Sequence, residues 1–392
     1  MNRVLIVGAS AGGLAAAESL RRAGFGGVIT LVGDEPAPPY DRPPLSKQLL
    51  AGQWAPGKLA LRPDADLGAL GLELRLGLPA TGLDTGRKQV TLADGTRLPY
   101  DTLIVATGVR ARRLPGTDGL AGAHTLRTRP DALALKERLR PGRHLVIVGA
   151  GFVGAEVAAT ARALGVRVTL LESGPVPLGR AVGEEAGRIM TRLHLKHGVT
   201  VRTQVSVTGI LGAGSRVTGV RLADGTVMPA DDVLVAIGSV PNTEWLAGSG
   251  LTVRDGLVCD EFCAAAENVY GVGDVARWHN PLFGTAMRIE HRTNAAEQGM
   301  AVARNILGEP RPFAPVPYFW SDQYDIKFQA YGNLRDHDEA LVLDRDRLLV
   351  VYRKADRLVG VLAAGQTPRT LRAWRGLIAA RTPWTAALTT AA

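Results

Sequence analysis

Three glycines with a fixed spacing, Gly149, Gly151 and Gly154, follow an apolar run directly, and Glu172 stands further along the chain. In a strand–turn–helix unit the first glycine permits a tight turn, the second lets backbone approach a pyrophosphate, and the third lets helix pack on strand. The helix N-terminus adds free N–H groups and a positive dipole end for phosphate. A carboxylate about 20 residues later can accept both ribose hydroxyls of an adenosine. The spacing therefore predicts an NAD site.

The charge of Glu172 also predicts which coenzyme is used. A phosphate on the adenosine ribose would be repelled by this carboxylate, so NADH is favoured over NADPH. Arg167 and Arg180 are near in sequence and could weaken the preference.

A second turn of this kind opens the chain, where Gly8 and Gly13 flank Ser10 in the place of the second glycine. Serine is small, and its hydroxyl could itself donate to a phosphate. Asp34 and Glu35 stand at the expected distance for a ribose. One such turn would equally fit an ordinary α/β domain, but two turns, each with its carboxylate, predict two dinucleotide sites.

The elements that position these turns occur twice. Strand, turn, helix and strand are predicted at 3–7, 8–13, 14–22 and 28–32, and again at 144–148, 149–154, 155–164 and 167–171. A longer repeat aligns 90–108 with 220–238, with eleven of nineteen pairs identical, and both copies contain an Asp-Gly hairpin turn. The chain then changes to alternating strands, including 348–352 and 358–362, and a closing helix near 368–381.

These repeats predict an α/β fold with two Rossmann-like dinucleotide-binding domains, the second inserted in the first, and a C-terminal α+β domain. The Gly-Asp pair at Gly273-Asp274 follows the second unit, which suggests that the chain returns there to complete the first domain. The predicted boundaries are 1–109 with 238–312 for the first domain, 110–237 for the second, and 313–392 for the β-rich third.

Composition excludes several protein classes. The 392 residues are 46% hydrophobic and 21% charged, as in a globular chain, and no apolar run approaches the length of a membrane helix. The N-terminus enters a strand at once, without room for a signal peptide. The two cysteines, Cys259 and Cys263, form neither a disulfide scaffold nor a zinc motif, so we expect two buried structural thiols, no metal and a cytoplasmic protein. The net charge of +9 suggests an anionic partner: nucleic acid, membrane surface, acidic protein or phosphorylated ligand.

Several motifs go beyond these general rules. They are Gly33-Asp34-Glu35-Pro36, Pro39 to Lys47, Ala106-Thr107-Gly108, Leu126-Arg127-Thr128, Gly238 to Asn242, Tyr270 to Asp274, Arg288-Ile289-Glu290-His291 and Phe319 to Tyr324. In this order the chain resembles the FAD-dependent, NADH-using ferredoxin reductases of bacterial cytochrome monooxygenases and aromatic-ring dioxygenases. The resemblance implies a glutathione-reductase-type fold without the redox disulfide, with FAD in the first domain and NADH in the second.

The resemblance, together with the two turns, gives the candidate site residues. Asp34 or Glu35 would hold the FAD ribose, and Asp274 would contact the ribityl–pyrophosphate region. The full FAD set is Gly8, Ser10, Ala11, Gly12, Gly13, Asp34, Glu35, Arg42, Lys47, Ala80, Ala106, Thr107, Gly108, Arg127, Asp274, Glu290, His291 and Arg292. The NAD set is Gly149, Gly151, Phe152, Val153, Gly154, Glu156, Glu172, Arg180, Ile237 and Gly238.

Lys47 and Glu156 are the candidate catalytic residues. Lys47 could place a cation beside the reactive flavin nitrogen, and Glu156 could pair with it or touch the nicotinamide amide. The alternatives are a solvated loop lysine and a first-turn carboxylate favoured by the helix dipole.

Two other features leave alternatives open. A helix predicted at 295–307 could aim its N-terminus at the flavin pyrimidine edge; Arg292, just before it, either faces the flavin and raises its reduction potential or faces solvent. The aromatic residues Phe319, Trp320 and Tyr324 either form core or roof the flavin where electrons leave.

The leading functional hypothesis is an electron relay in which NADH passes a hydride to FAD and the flavin gives single electrons to a two-iron ferredoxin. Residues 1–258 contain no cysteine that could form a redox disulfide. The alternatives are an NADH oxidase or peroxidase, and a flavin- and NADH-binding interaction protein with a basic surface. Nucleic acid is disfavoured because the densest basic cluster is only Arg110-Ala111-Arg112-Arg113. Ferredoxins are usually acidic, so the surplus charge predicts electrostatic docking; a monomer and a homodimer both stay open.

Overall fold

The computed structural model describes residues 1–117 and 119–391. The chain forms two compact units, each of several segments. Unit 1 comprises Met1–Asp41, Leu59–Arg110 and Val240–Pro317, and unit 2 comprises Arg42–Lys58, Ala111–Ser239 and Tyr318–Ala392. These divisions fall at other residues than the predicted boundaries, and the three-domain division stays a prediction.

Unit 1 is built on a six-stranded sheet whose central strand is Arg3–Val7. This strand pairs in parallel with Val28–Gly33 on one side and Thr102–Val105 on the other. In spatial order the strands are Ala264–Ala266, Val269–Gly271, Thr102–Val105, Arg3–Val7, Val28–Gly33 and Glu73–Leu76. The central strands are apolar and buried on both faces, as a covered parallel sheet requires.

Two small sheets and three helices complete unit 1. One sheet contains the predicted Asp-Gly hairpin, and the helix Arg292–Ile306 packs against the helix Ala11–Arg22. The strands of the first sheet are Ala80–Asp84, Gln89–Leu92 and Arg97–Pro99, and those of the second are Leu257–Cys259, Ala276–Asn280 and Thr285–Met287. The helices are Ala11–Arg22, Asp64–Ala69 and Arg292–Ile306, and 3-10 turns lie at Glu244–Leu246 and Gly273–Val275.

Unit 2 contains a second parallel sheet of the same construction. His144–Val148 lies between Arg167–Leu171 and Asp232–Val235 and pairs in parallel with both. The five strands are, in spatial order, Thr200–Arg202, Arg167–Leu171, His144–Val148, Asp232–Val235 and Ala123–His124, and Val207–Ala213, Arg216–Leu222 and Val227–Pro229 form a three-stranded sheet beside it. The α/β class with parallel sheets is thus confirmed.

The C-terminal part of unit 2 is an antiparallel sheet covered by an amphipathic helix. Thr367 caps this helix, and Leu371, Trp374 and Ile378 form its buried face. In spatial order the strands of this sheet are Tyr318–Gln323, Ile326–Gly332, Arg357–Ala364, Leu349–Lys354 and Glu339–Asp344, and the covering helix is Pro368–Ala379. The other helices of unit 2 are Arg129–Arg138, Phe152–Ala163, Gly179–Val182, Glu184–Lys196 and Trp384–Ala391. Among the described residues, no helix combines the length and apolarity needed to cross a bilayer.

Three helices begin earlier than the apolar pattern predicts. The helices predicted from residues 14, 155 and 295 begin at Ala11, Phe152 and Arg292, three residues sooner in each case. In the first two helices the three earlier residues belong to the glycine turns 8–13 and 149–154, which the spacing assigned to the turn. In the third helix they are the polar run Arg292-Thr293-Asn294, which an apolar period does not register.

Asp232 anchors the amino end of a central strand in unit 2 and is 2% exposed. Its carboxylate accepts hydrogen bonds from Arg138 Nε at 2.8 Å and Arg143 Nη2 at 2.7 Å, and His124 Nε2 lies 3.5 Å away. Burial alone would raise the pKa of Asp232, but the hydrogen bonds of His124, Arg138 and Arg143 outweigh it and hold that pKa below its usual value.

Replacing Asp232 with asparagine should therefore lower the free energy of unfolding by about 3 kcal/mol at pH 7, because two cations lose a buried partner. A carboxylate with a lowered pKa stabilises the fold above its unfolded pKa, and that contribution disappears as pH falls through the folded pKa. Urea unfolding should show a difference between wild type and variant at pH 7 that shrinks below about pH 4. The neighbouring exposed Asp231→Asn is the matched control; an equal loss there would contradict the argument.

Candidate active site

The first glycine turn, residues 8–13, joins a buried strand to a helix in unit 1. Gly8 has φ 127°, and a Cβ there would lie 2.0 Å from the carbonyl oxygen of Ala106. A Cβ on Gly13 would lie 2.1 Å from the carbonyl oxygen of Gly8. Ser10 is the N-cap of the helix, but its side chain makes no capping hydrogen bond. The hydroxyl of Ser10 and the N–H groups of Ala11, Gly12 and Gly13 are therefore not committed to capping.

The second glycine turn, residues 149–154, repeats this geometry in unit 2. Gly149 has φ 99°, and its Cβ would lie 2.4 Å from the carbonyl oxygen of Ala236, while a Cβ on Gly154 would lie 2.1 Å from that of Gly149. At Gly151, by contrast, a Cβ would meet no described atom within 4 Å. The first and third positions therefore require glycine, because a side chain there would collide with backbone. The second position borders open space where a pyrophosphate can approach.

This contrast predicts different effects of two alanine substitutions. Gly154→Ala should lower the thermal midpoint of the protein, because the added methyl group collides with backbone. Gly151→Ala should leave that midpoint within about 1 °C and raise the NADH Kd by about tenfold or more, because its methyl group occupies ligand space. Thermal scans and NADH titration of both variants measure this. A large loss of stability in Gly151→Ala would contradict it.

Glu172 lies at the carboxyl end of its strand, beside the second glycine turn. Its Oε2 accepts from the Ala150 N–H at 3.0 Å and its Oε1 from the Gly174 N–H at 2.8 Å. The carboxylate is therefore held against the backbone of the turn, as a ribose-binding group needs. Arg167 begins the same strand five residues earlier, so it lies about 16 Å away at the opposite end. The expectation that Arg167 weakens the coenzyme preference is therefore wrong.

The acidic residues after the first turn differ in their surroundings. Glu35 Oε2 accepts from the hydroxyl of Tyr40 at 2.6 Å, and Asp34 is exposed, with its Oδ1 accepting from the Glu35 N–H at 3.1 Å. Both carboxylates follow the strand Val28–Gly33 in unit 1, beside Gly8, whose N–H donates to Val32. Asp34 and Glu35 therefore both remain candidates for binding the ribose.

Lys47 and Glu156 form a buried ion pair in unit 2. Lys47 Nζ lies 2.6 Å from Glu156 Oε2, and the side chains are 10% and 7% exposed. Ser46 Oγ donates to Glu156 Oε2 at 2.5 Å, and Ser321 Oγ donates to Glu156 Oε1 at 2.8 Å. Thr160 Oγ1 donates to the Ser46 carbonyl at 2.9 Å and fixes the loop to the helix.

This geometry decides against both simple alternatives. Lys47 is not a solvated lysine, since its ammonium is enclosed and paired. Glu156 is the fifth residue of the helix Phe152–Ala163, in its second turn, so it is not a first-turn carboxylate held by the dipole. A buried ion pair costs desolvation and is weak evidence for stability, which makes a chemical role the better explanation.

Arg292 is held in an ion pair, and the prediction that it faces the flavin stays a prediction. It is the first residue of the helix Arg292–Ile306, with His291 as N-cap, and its Nε donates to Asp41 Oδ1 at 2.7 Å. Both side chains are about one-third exposed. A cation in the first turn of a helix is unfavourable, and Asp41 offsets it. Sequence reasoning missed Asp41, which lies 251 residues away.

The remaining FAD candidates are divided between the units. In unit 1, Thr107 and Gly108 are both hydrogen-bonded to Asn242. Thr107 Oγ1 donates to the Asn242 carbonyl, and the Asn242 N–H donates to the Gly108 carbonyl. In unit 2, Arg42 Nη1 donates to the carbonyl of Arg127 at 2.9 Å. The other unit 1 members are Gly12, Ala80, Ala106, Asp274, Glu290 and His291.

The remaining NAD candidates all lie in unit 2. The Phe152 ring meets the Phe319 ring edge-on with centroids 4.8 Å apart, so this member of the aromatic group packs against the start of the helix. Val153 is 40% exposed. Gly238 has φ 96°, and its carbonyl accepts from the Arg112 N–H. Ile237 precedes it, and Arg180 lies in the short helix Gly179–Val182.

Sequence reasoning also missed Asn294, in the first turn of the helix Arg292–Ile306. Its side chain is 2% exposed, and neither amide atom has a hydrogen-bond partner among the described residues. The next residue, Ala295, lies beside the first glycine turn, since a Cβ on Gly12 would stand 3.3 Å from its carbonyl oxygen. An unpaired buried amide is costly, so this side chain fits a bound polar group beside the first glycine turn. The unusual polar run Arg292-Thr293-Asn294 is the one signal that could have found it.

Cys259 and Cys263 are both buried and free. Burial raises the pKa of Cys259 and raises that of Cys263 to about 12. Neither is therefore a ready thiolate, and the prediction of structural thiols is confirmed.

Comparisons with known proteins agree with this geometry. Residues 2–299 match the family described as pyridine nucleotide-disulphide oxidoreductase, and residues 318–391 match the reductase C-terminal family. Rhodocoxin reductase of Rhodococcus erythropolis is 38% identical over 97% of this chain and 90% of its own length. The ferredoxin–NAD(+) reductase component of the p-cumate 2,3-dioxygenase system of Pseudomonas putida is 37% identical over 85% of this chain and 82% of its own.

A solved structure, the covalent putidaredoxin reductase–putidaredoxin complex, is similar with a TM-score of 0.93 and 35% identity, covering 97% of this chain and 94% of that one. The two turns and the open space at Gly151 fit dinucleotides, and the cofactors are FAD and NAD(H). The chain thus belongs to the pyridine nucleotide-disulphide oxidoreductase family and is an oxidoreductase of that family with a reductase C-terminal segment.

Proposed function

We propose that this protein is an NADH-dependent ferredoxin reductase that supplies electrons to a cytochrome monooxygenase or a ring-hydroxylating dioxygenase. The observation that carries the proposal is the pair of like-built glycine turns in a chain whose two thiols are buried and free. A family member without an exposed redox disulfide has no thiol relay, so its flavin must pass electrons directly to an external acceptor. The relatives' names point to ferredoxins as that acceptor.

The residues divide the work as follows. The first glycine turn and Asp34 or Glu35 hold FAD, and the second glycine turn holds the pyrophosphate of NADH while Glu172 accepts its ribose hydroxyls. FAD, when bound, accepts a hydride and can release electrons singly. Lys47 supplies a positive charge at a fixed position. Glu156 orients the Lys47 ammonium through the ion pair and occupies the place where water would otherwise solvate it.

The partner is a two-iron ferredoxin, and we propose that it is acidic. The chain carries 46 basic and 37 acidic residues, so an acidic ferredoxin would be steered toward it. A reducing cytoplasm suits two free thiols. A monomer or a homodimer would serve equally, because the relay needs one FAD and one NADH.

Anaerobic electron transfer tests the proposal. Purified holoenzyme is mixed with NADH, two-iron ferredoxins from the same genome, and cytochrome c as final acceptor. Rapid flavin bleaching with cytochrome c reduction only when a ferredoxin is added supports the reductase, and the rate should fall with added salt. Equal NADH consumption with oxygen or peroxide alone would identify an oxidase or peroxidase instead. Slow bleaching with salt-sensitive nucleic-acid binding would identify an interaction protein.

A further inference from the structure

A buried tyrosine of the C-terminal sheet is hydrogen-bonded to the short helix that carries Arg180. Tyr352 lies on the strand Leu349–Lys354 and is fully buried, and its hydroxyl donates to the carbonyl of Val182 at 2.6 Å. Val182 is the last residue of the helix Gly179–Val182, where a carbonyl has no partner inside the helix. Tyr352 thus satisfies a carbonyl at the end of an element that carries an NAD candidate.

The other end of this short helix is hydrogen-bonded to the second glycine turn. Leu178 is the N-cap residue, and its N–H donates to the carbonyl of Ala150 at 2.9 Å. The N–H of Ala150 in turn donates to Glu172 Oε2 at 3.0 Å. Residues 178–183, which we call the connecting segment, therefore run from the predicted NADH site to the C-terminal sheet.

The backbone of the connecting segment has an uncommon conformation at both ends. Leu178 has φ 61° and is 3% exposed, and Gly183 has φ 80°. A Cβ on Gly183 would lie 3.1 Å from His337 Cε1, so the histidine ring packs closely on this end. The same ring meets the Tyr352 ring edge-on with centroids 5.1 Å apart. A left-handed leucine persists only where its surroundings fix it, so contacts from outside set the conformation of the segment.

Arg180 is the charged residue of the connecting segment. It is exposed, and among the described residues no carboxylate pairs with it. It follows Leu178 by two residues, which span at most about 7 Å, so its long side chain can reach the mouth of the glycine turn. A guanidinium matches the oxygens of a phosphate in charge and in geometry. A side chain on a fixed backbone also loses less freedom on binding, which favours affinity.

We propose that Tyr352 is a positioning residue that holds Arg180 where its guanidinium binds the pyrophosphate of NADH. The proposal rests on the proposed function, in which the second glycine turn holds this pyrophosphate. Through the Val182 carbonyl, the C-terminal sheet thereby contributes to coenzyme affinity, and Tyr352 itself needs no contact with the coenzyme.

Calorimetric titration of oxidised holoenzyme with NAD+ tests the proposal. NAD+ carries the same pyrophosphate as NADH and leaves the flavin oxidised. Arg180→Ala should raise the Kd by about tenfold, the effect of losing a hydrogen bond between charged groups. Tyr352→Phe removes only a hydroxyl and should raise the Kd by about fivefold, because the connecting segment loses one of its fixed ends.

The double variant distinguishes positioning from a general effect on the fold. If Tyr352 acts through Arg180, adding Tyr352→Phe to Arg180→Ala should change the Kd by less than about twofold. Effects that multiply in full would mean that Tyr352 acts on the site by another route, and they would overturn the inference. An unchanged Kd in Arg180→Ala or in Tyr352→Phe would overturn it as well.

Tyr324→Phe is the matched control. Tyr324 directly follows the first strand of the same sheet, and its hydroxyl lies 2.9 Å from His194 Nδ1. His194 is ten residues from the start of the helix Glu184–Lys196, so this contact lies about 15 Å along the helix from the connecting segment. Tyr324→Phe should therefore leave the NAD+ Kd unchanged. A rise equal to that in Tyr352→Phe would show that loss of any hydroxyl of this sheet weakens binding, against the proposal.

A second variant applies if Tyr352→Phe does not retain FAD. His337→Ala removes the half-buried ring that packs on Gly183 and should raise the NAD+ Kd by about threefold, because that end of the connecting segment loosens. In that case an unchanged Kd in His337→Ala overturns the inference. None of these titrations uses a ferredoxin. Failure to reduce ferredoxin would thus contradict the proposed function and leave the result for Tyr352 standing.

Discussion

Replacing Glu156 with glutamine should destabilise unit 2 by about 3 kcal/mol, because Lys47 keeps a charge that is 10% exposed and has lost its counter-charge. For a unit of this size that corresponds to a fall in the thermal midpoint of about 6–12 °C. Lys47→Met should cost stability in the same way, since it leaves Glu156 with only hydroxyl donors. Differential scanning calorimetry of the holoprotein measures both.

The double variant Lys47→Met with Glu156→Gln provides the decisive comparison. It removes both charges, while the glutamine oxygen can accept from one of Ser46 and Ser321 and its NH2 group can donate to the other, so most of the lost stability should return. Flavin reduction by NADH should not return: in all three variants we expect its stopped-flow rate to fall by about 100-fold. A double variant as unstable as the single ones would contradict the ion-pair argument, and one with a normal rate would make the pair purely structural.

The sequence predicts what is local in this protein. Both glycine turns follow from spacing, because the turn, the helix start and the strand contact lie within a few residues of each other. The structure gives the reason in atoms: a Cβ on Gly13 or Gly154 would stand 2.1 Å from the carbonyl of the first glycine of its own turn. The positions of the main parallel strands and of the Asp-Gly hairpins were equally accessible.

What the sequence missed depends on contacts between distant residues. Ser321 meets Glu156 across 165 positions, and nothing in the pattern of either segment indicates that meeting. The prediction for Arg167 failed for the opposite reason. Arg167 is close in sequence to the ribose-binding carboxylate, but the extended strand places the two at opposite ends. The sequence did not indicate that the helix begins at Arg292. Asn294 in its first turn is buried but polar, and an apolar period identifies only apolar residues as buried.

Coenzyme preference should depend on a single carboxylate. We expect wild-type kcat/KM for NADPH to be at least about 100-fold below that for NADH, because Glu172 would face the additional phosphate. Glu172→Gln removes the charge but retains a side-chain oxygen for the Ala150 or Gly174 N–H, so the turn keeps one of its supports. The ratio of the two kcat/KM values should then fall by about tenfold or more.

Two controls make that result specific to the ribose site. Arg167→Ala should leave the ratio unchanged, because Arg167 lies at the other end of the strand. The thermal midpoint of Glu172→Gln should stay close to that of wild type, so that a changed ratio cannot be attributed to a disordered turn. If Glu172→Gln leaves discrimination intact, the ribose is recognised elsewhere. If Arg167→Ala alters it, the strand geometry that separates Arg167 from Glu172 does not govern the site, and Arg180 becomes the next residue to replace.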